Sequence, residues 1–299
     1  MKGNPSTGII FAFGAAVALA ASFVFSKSVL NQLSMVHFGA VWFTLGVVWN
    51  GIWFLTQKEY RKLSGSFWKK TAVALAIAVF EGAAIGLFYM AIKAMENPAV
   101  VSFIGNIGPV FVTLLGLTLL RERFRPTQLA GIAITLLGLF VINYRHGGFA
   151  GFTDPGALYV VGASFLFAMA TITGRKYRDY LNPGYMSLIR SLLLALLMTI
   201  LFISKEGVAI FDISLSIWRD LILGSLLETL IVIIFAYQAL KLIEATKTSL
   251  IISSKGVWAL ILAWIFLGVF PTGFQLTGGI LTLVGVTLIT WDKSLIRRK

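Results

Sequence analysis

Five ionisable side chains lie inside long apolar runs of this chain: Lys27, Glu81, Arg190, Glu228 and Lys255. A charge at the centre of a membrane helix costs roughly 2.5–3.5 kcal/mol on insertion scales, so such residues persist where they face a wet cavity or a partner. Glu81 and Glu228 fall midway along their runs, and Lys255 lies near the middle of its own. Together they predict a polar central cavity. Arg190 or Lys255 could hold a carboxylate or phosphate on a solute, and either glutamate could hold an amine or take up a proton. The alternative is that the charges pair off, Glu228 with Lys255 for instance, and only lock helices together. Lys27, near the end of its run, reads as a side chain snorkelling to the interface.

Uncharged candidates complete the set. Asn106 could hydrogen-bond a solute or another helix. Trp42 and Tyr89 could wall a cavity, although aromatic residues in membrane segments commonly face lipid or the interface. His37 reads as interfacial. Gly82 and Gly86 have the Gly-x-x-x-Gly spacing of close helix contact, expected to serve packing within one subunit. Pro109 is expected to kink the helix that carries it. Glu122, between Arg121 and Arg123, reads as part of a solvated loop.

Enzyme chemistry finds no foothold. The chain has no cysteine, and its two histidines stand at positions 37 and 146. That leaves no Ser/His/Asp set to propose and no ligand spacing for a metal. A Gly-rich phosphate loop ending in Lys-Ser/Thr is absent as well, so no cofactor and no direct use of ATP is expected.

Hydrophobic residues make up 58% of the 299, charged residues only 12%, and the mean hydropathy is +0.89. A soluble domain carries about 25% charged residues. The composition therefore specifies an all-α polytopic membrane protein. With about 20 apolar residues needed per crossing, ten helices are predicted. They lie near 7–27, 36–57, 69–92, 98–120, 127–143, 155–176, 183–203, 217–240, 246–268 and 273–291. The first has a counterpart later in the chain, so it reads as part of the fold and not as a cleaved signal peptide.

The net charge of +13 sits in short loops, which argues against nucleic acid and for a topology signal. With the N-terminus placed inside, eighteen of the 25 Lys and Arg residues fall on the cytoplasmic side and four on the other. The positive-inside rule then puts both termini in the cytoplasm. Compact loops point to a bacterial or archaeal inner (plasma) membrane.

The first half recurs in the second at a shift of 148 residues. Gly8 and Gly14 fall on Gly156 and Gly162, Lys27 on Arg175, Tyr89 on Tyr237, Lys93 on Lys241 and Glu96 on Glu244. After a one-residue slip, Gln128, Gly131 and Gly138 meet Gln275, Gly278 and Gly285. Five crossings per copy is an odd number, so the second copy starts on the opposite face of the membrane. Two inverted five-helix repeats, residues 1–148 and 149–299, are expected, as in many secondary transporters.

In this setting one stretch carries a family resemblance. It runs Pro98-Ala99-Val100-Val101-Ser102, Gly108-Pro109-Val110-Phe111, Leu119-Leu120-Arg121-Glu122-Arg123-Phe124, Gln128-Leu129-Ala130-Gly131 and Leu137-Gly138. The chain resembles the drug/metabolite transporter superfamily, EamA type, over essentially its whole length. In the second half Val257 takes the slot of Pro109, and Phe270-Pro271 replaces the Arg-Glu pair.

The resemblance implies secondary transport of a small metabolite, often export of amino acids or related compounds. The expectation is a carrier of a small polar or zwitterionic solute working by alternating access. Glu81, Asn106, Arg190, Glu228, Lys255, Trp42 and Tyr89 would form the site, with protons as the candidate coupling ion. The expected surroundings are the lipid bilayer, as monomer or homodimer. Rival readings are a carrier of organic anions or phosphorylated metabolites, a channel- or flippase-like protein without a carrier cycle, and a non-transporting membrane subunit.

Overall fold

The computed structural model describes residues 5–58, 67–94, 104–105, 107–143, 155–207, 213–267 and 272–290. Asn106 lies outside the described residues, as do the side chains of Lys27 and Tyr89.

All regular structure among the described residues is helical. The order is α1 (Pro5–Leu30), α2 (Met35–Thr56), α3 (Phe67–Ala94), α4 (Gly108–Leu119), α5 (Pro126–Asn143), α6 (Pro155–Lys176) and α7 (Pro183–Glu206). Next comes α8, built from Leu215–Ser225, a π-helical stretch Leu226–Val232, and Ile233–Leu242. Then α9 consists of Ala245–Ser253 and Lys255–Leu267 with Ser254 between them, and α10 spans Gly273–Thr290. Seven of these are apolar over 18 residues or more, enough to cross a membrane; α4 and α5 are shorter apolar helices and α9 is divided. The described helices match the predicted set of ten, the fourth over Gly108–Leu119 because 98–103 and 106 lie outside the described residues, with two interruptions that the hydrophobic pattern did not announce.

Helix starts follow local chemistry. The Ser34 hydroxyl accepts from the His37 N–H at 3.0 Å to cap α2, and the Asn182 side chain accepts from the Tyr185 N–H at 3.1 Å to cap α7. Each satisfies an unpaired donor of the first turn, and at α7, where Asn182 is buried, one that would otherwise be stranded. Pro183 opens α7, where a missing N–H costs nothing. Pro109 does the same for α4, lying in the first turn of Gly108–Leu119.

Packing is that of a membrane protein. Ala12, Ala15, Ala16 and Ala20 have no exposed surface, whereas Ile10, Leu158, Leu196 and Ile280 are each more than half exposed. Small residues let backbones approach while large ones face lipid.

The contacts follow a pseudo-two-fold pattern. α2 packs on its counterpart α7 and α5 on its counterpart α10, while α1 packs on α8 as α6 does on α3. A Cβ placed on Gly131 would lie 2.8 Å from the Gly285 carbonyl oxygen, and one on Gly138 would lie 2.7 Å from that of Gly278. Numbers rise on α5 as they fall on α10, so these helices run antiparallel. Across α2 and α7, Ser34 meets Glu206 and Asn50 meets Ser191 in the same falling order. Counterpart helices thus point in opposite directions, as five crossings per copy require. Of the Gly82/Gly86 pair, Gly82 faces Leu193 of α7, and Gly86 meets nothing within 4 Å.

Candidate substrate site

Arg190 is the anchor of the interior charges. It lies on α7 with its side chain 8% exposed, and its Nε donates to Glu81 Oε2 on α3 in a short ion pair. Its guanidinium stacks 5.7 Å from the ring centroid of Phe43 on α2. One guanidinium nitrogen, Nη1, is buried without a hydrogen-bond partner. The pairing predicted among the interior charges therefore occurs, but between Glu81 and Arg190.

The Glu228–Lys255 pair offered as the alternative does not form. No ion pair joins them among the described residues. The Lys255 ammonium lies instead 5.1 Å from the ring centroid of Phe23 on α1, a cation–π contact. Glu228 still interacts electrostatically with Arg190, Lys255 and Glu81. The Trp42 indole N–H also faces Glu228, without a hydrogen bond of ordinary geometry. Trp42 is 1% exposed, so it is an interior residue and not a lipid-facing one. His37 stacks on Phe202 at 4.6 Å, near the α2–α7 end where Ser34 meets Glu206.

Beside the charges lies a cavity of about 170 Å³. Its walls include Glu81 of α3, Thr171 of α6, Tyr237 of α8, and Thr248, Ser249 and Ser253 of α9. It is walled almost entirely by the second half of the chain, with Glu81 the contribution of the first, and Glu228, Arg190 and Lys255 are not part of its walls. Sequence reasoning missed Tyr237 as a site residue. Its hydroxyl is buried without a hydrogen-bond partner, and its repeat relation to Tyr89 was the available signal. Such cavities for drug-sized ligands run about 300–1,000 Å³; this one suits a solute of metabolite size.

Glu122 corrects a second expectation. Its half-buried carboxylate is not free in a loop: it accepts from the Ala245 N–H at 2.7 Å, the Thr246 N–H at 3.3 Å and the Thr246 hydroxyl at 2.7 Å. An anion on the first turn of α9 is favoured by the unpaired N–H groups and the helix dipole. Arg121 adopts a left-handed φ of 53°, and the Glu122 N–H returns to the Gly116 carbonyl at 3.0 Å. A side chain at Gly116 would strike both Glu122 and Thr246. The second half has Phe270-Pro271 at the corresponding place and no carboxylate to repeat this contact.

Two stretches of the chain, residues 6–144 and 154–291, each match the EamA-like transporter family. The chain belongs to the EamA-like transporter family. Among its relatives, an uncharacterized transporter of Archaeoglobus fulgidus is 24% identical over 283 residues, covering 91% of this chain and 93% of its own. The uncharacterized transporters YdfC and YxxF of Bacillus subtilis are 24% and 25% identical over 64% and 69% of this chain. The chain spans 61% and 65% of their lengths. A solved crystal structure superposes with a TM-score of 0.76 over 97% of this chain and 99% of that one, at 16% identity, a likeness of fold. By its family and its long apolar helices the chain is a multi-pass membrane protein.

Proposed function

We propose that this transporter is a secondary carrier of a small polar or zwitterionic metabolite, amino-acid-like as first choice, moving outward by alternating access. The observation that carries the reading is the uneven pairing of the interior charges. Glu81 and Arg190 neutralise each other, while Glu228 and Lys255 stand close enough to interact but unpaired. One free anion and one free cation suit the ammonium and carboxylate of a zwitterion. The cavity beside these charges, with Glu81 in its wall and hydroxyls from α6, α8 and α9, gives such a solute room next to Glu228 and Lys255 and not directly against them. Residues 1–148 and 149–299 are the two bodies that exchange access, with both termini cytoplasmic. Protons are the coupling ion, carried by Glu81 or Glu228.

The test is thermal stabilisation across a metabolite panel, since a ligand at 100 times its Kd stabilises the folded state by about 2.7 kcal/mol. Counterflow of the hit in liposomes then separates a carrier from a channel. Stabilisation by phosphorylated or dianionic compounds alone would replace the zwitterion with an organic anion. Stabilisation without counterflow would replace the carrier with a channel.

A further inference from the structure

The π-helical stretch Leu226–Val232 carries Glu228, and its backbone is held from outside α8. In a regular α-helix the Ile233 N–H would bond the Thr229 carbonyl four residues back. Here it bonds the Leu230 carbonyl, three residues back, so the π-helical stretch closes on a tight turn at Ile233. That releases the Thr229 carbonyl, which in apolar surroundings needs other donors. Two arrive: Asn50 Nδ2 of α2 at 3.0 Å and Ser187 Oγ of α7 at 2.7 Å. Asn50, Ser187 and Thr229 are all fully buried. The start of the wide turn is held as well, by Trp49 Nε1 donating to Ser225 Oγ at 3.1 Å. Gly46 makes the approach feasible, because a Cβ there would lie 2.9 Å from the Thr229 side chain.

The orientation of Asn50 is determined by its neighbours. Its Nδ2 faces the carbonyls of Gly46 at 2.8 Å and Thr229 at 3.0 Å, and the Ser191 hydroxyl at 3.1 Å. Reversing the amide would set its oxygen against two carbonyl oxygens, so the buried, unpartnered Oδ1 is a consequence of the grip. Ser187 and Ser191 flank Arg190, so the same face of α7 positions the ion pair and the turn.

We infer that Asn50 and Ser187 are positioning residues for Glu228: by holding the Thr229 carbonyl outside the regular helix pattern they keep the irregular stretch of α8 in place and aim the carboxylate at the interior charges. The inference rests on the reading of Glu228 as a site group. Wide turns of this kind occur often at functional sites. Without the two donors, the Ile233 N–H reclaims the carbonyl, the stretch returns to regular α-helix, and Glu228 rotates away.

The test uses the full chain in detergent micelles and dicyclohexylcarbodiimide, which adds to protonated carboxyls in water-poor surroundings. Labelling at Glu228 is read by peptide mass spectrometry, with Glu122 as the reference carboxylate, and hydrogen exchange is followed over residues 226–233. Asn50→Ala and Ser187→Ala are each expected to change the Glu228 rate about threefold to tenfold, the worth of a hydrogen bond. The double variant should fall short of the product, because the two donors share one acceptor. Exchange over 226–233 should change in both variants, with Glu122 unaffected. Ser187→Ala alone serves if Asn50→Ala does not fold. Unchanged labelling and exchange, or equal changes at Glu228 and Glu122, would overturn the inference. None of these readouts needs a transported solute, so a failure here is distinct from failure of the metabolite panel.

Discussion

Replacing Glu81 with Gln leaves the Arg190 guanidinium, 8% exposed, without its anion. Removing one partner of a buried pair costs about 3–5 kcal/mol, whereas replacing both by apolar residues of similar volume is often neutral or stabilising. Unfolding entropy of about 2.1 cal/mol/K per residue gives roughly 0.63 kcal/mol/K for 299 residues. Glu81→Gln is therefore expected to lower the melting temperature in detergent by about 5–8 °C. The double variant Glu81→Leu with Arg190→Met should return to within about 2 °C of the parent. The assay is melting followed by size exclusion, with and without the stabilising metabolite. A pair that only locks helices predicts that the double variant regains ligand stabilisation along with its melting temperature; a pair that belongs to the site predicts recovery of melting alone. Two results would refute the energetic reasoning: Glu81→Gln melting within about 2 °C of the parent, or a double variant less stable than either single.

Further outcomes are expected. Gly138→Ala sets a methyl 2.5 Å from the Thr282 backbone nitrogen, where nothing can yield, and should destabilise by about 1–3 kcal/mol. Gly86→Ala meets nothing within 4 Å and should gain up to about 1 kcal/mol from helix propensity, so melting curves should move in opposite directions. Glu122→Gln keeps an acceptor at the start of α9 but loses its charge, and should cost about 1–2 kcal/mol, with Glu122→Ala costing more on the same assay. Lys255→Met removes an interior cation that has no ion-pair partner and should leave melting unchanged or higher while abolishing ligand stabilisation and transport. If protons drive the cycle through the carboxylates, Glu81→Gln combined with Glu228→Gln should flatten the pH dependence of uptake in proteoliposomes; a persistent pH dependence would assign coupling elsewhere.

What the sequence revealed and what it hid divide along physical lines. Helix number was legible because each crossing needs its own apolar length, and Glu81, Arg190, Glu228 and Lys255 stood out because a charge in such a run is rare. Which of them pair was not legible: Glu81 and Arg190 are 109 residues apart, and only packing brings α3 against α7. The wide turn in α8 left no mark, since Leu226-Leu227 and Leu230-Ile231-Val232 read as ordinary apolar helix. Asn50 and Ser187 went unnoticed for a related reason. Short polar residues in membrane helices commonly bond their own backbone, as Thr44 does to the Ala40 carbonyl at 2.6 Å, so type and spacing alone do not mark those that reach across. Glu122 was misread because arginines flank it in the chain, while its partners come 123 and 124 residues later.

The seam between α5 and α10 has a mechanical meaning. Where glycine meets glycine and main chain touches main chain, no rotamers are available to re-form the contact after a shift. Sliding by even part of a turn would drive Thr135 or Thr282 into the opposing backbone. In the carrier cycle proposed above, this seam is a fixed spine, and motion of the halves is taken up by helices away from it. Spin labels placed across it should hold one separation while labels elsewhere broaden into two.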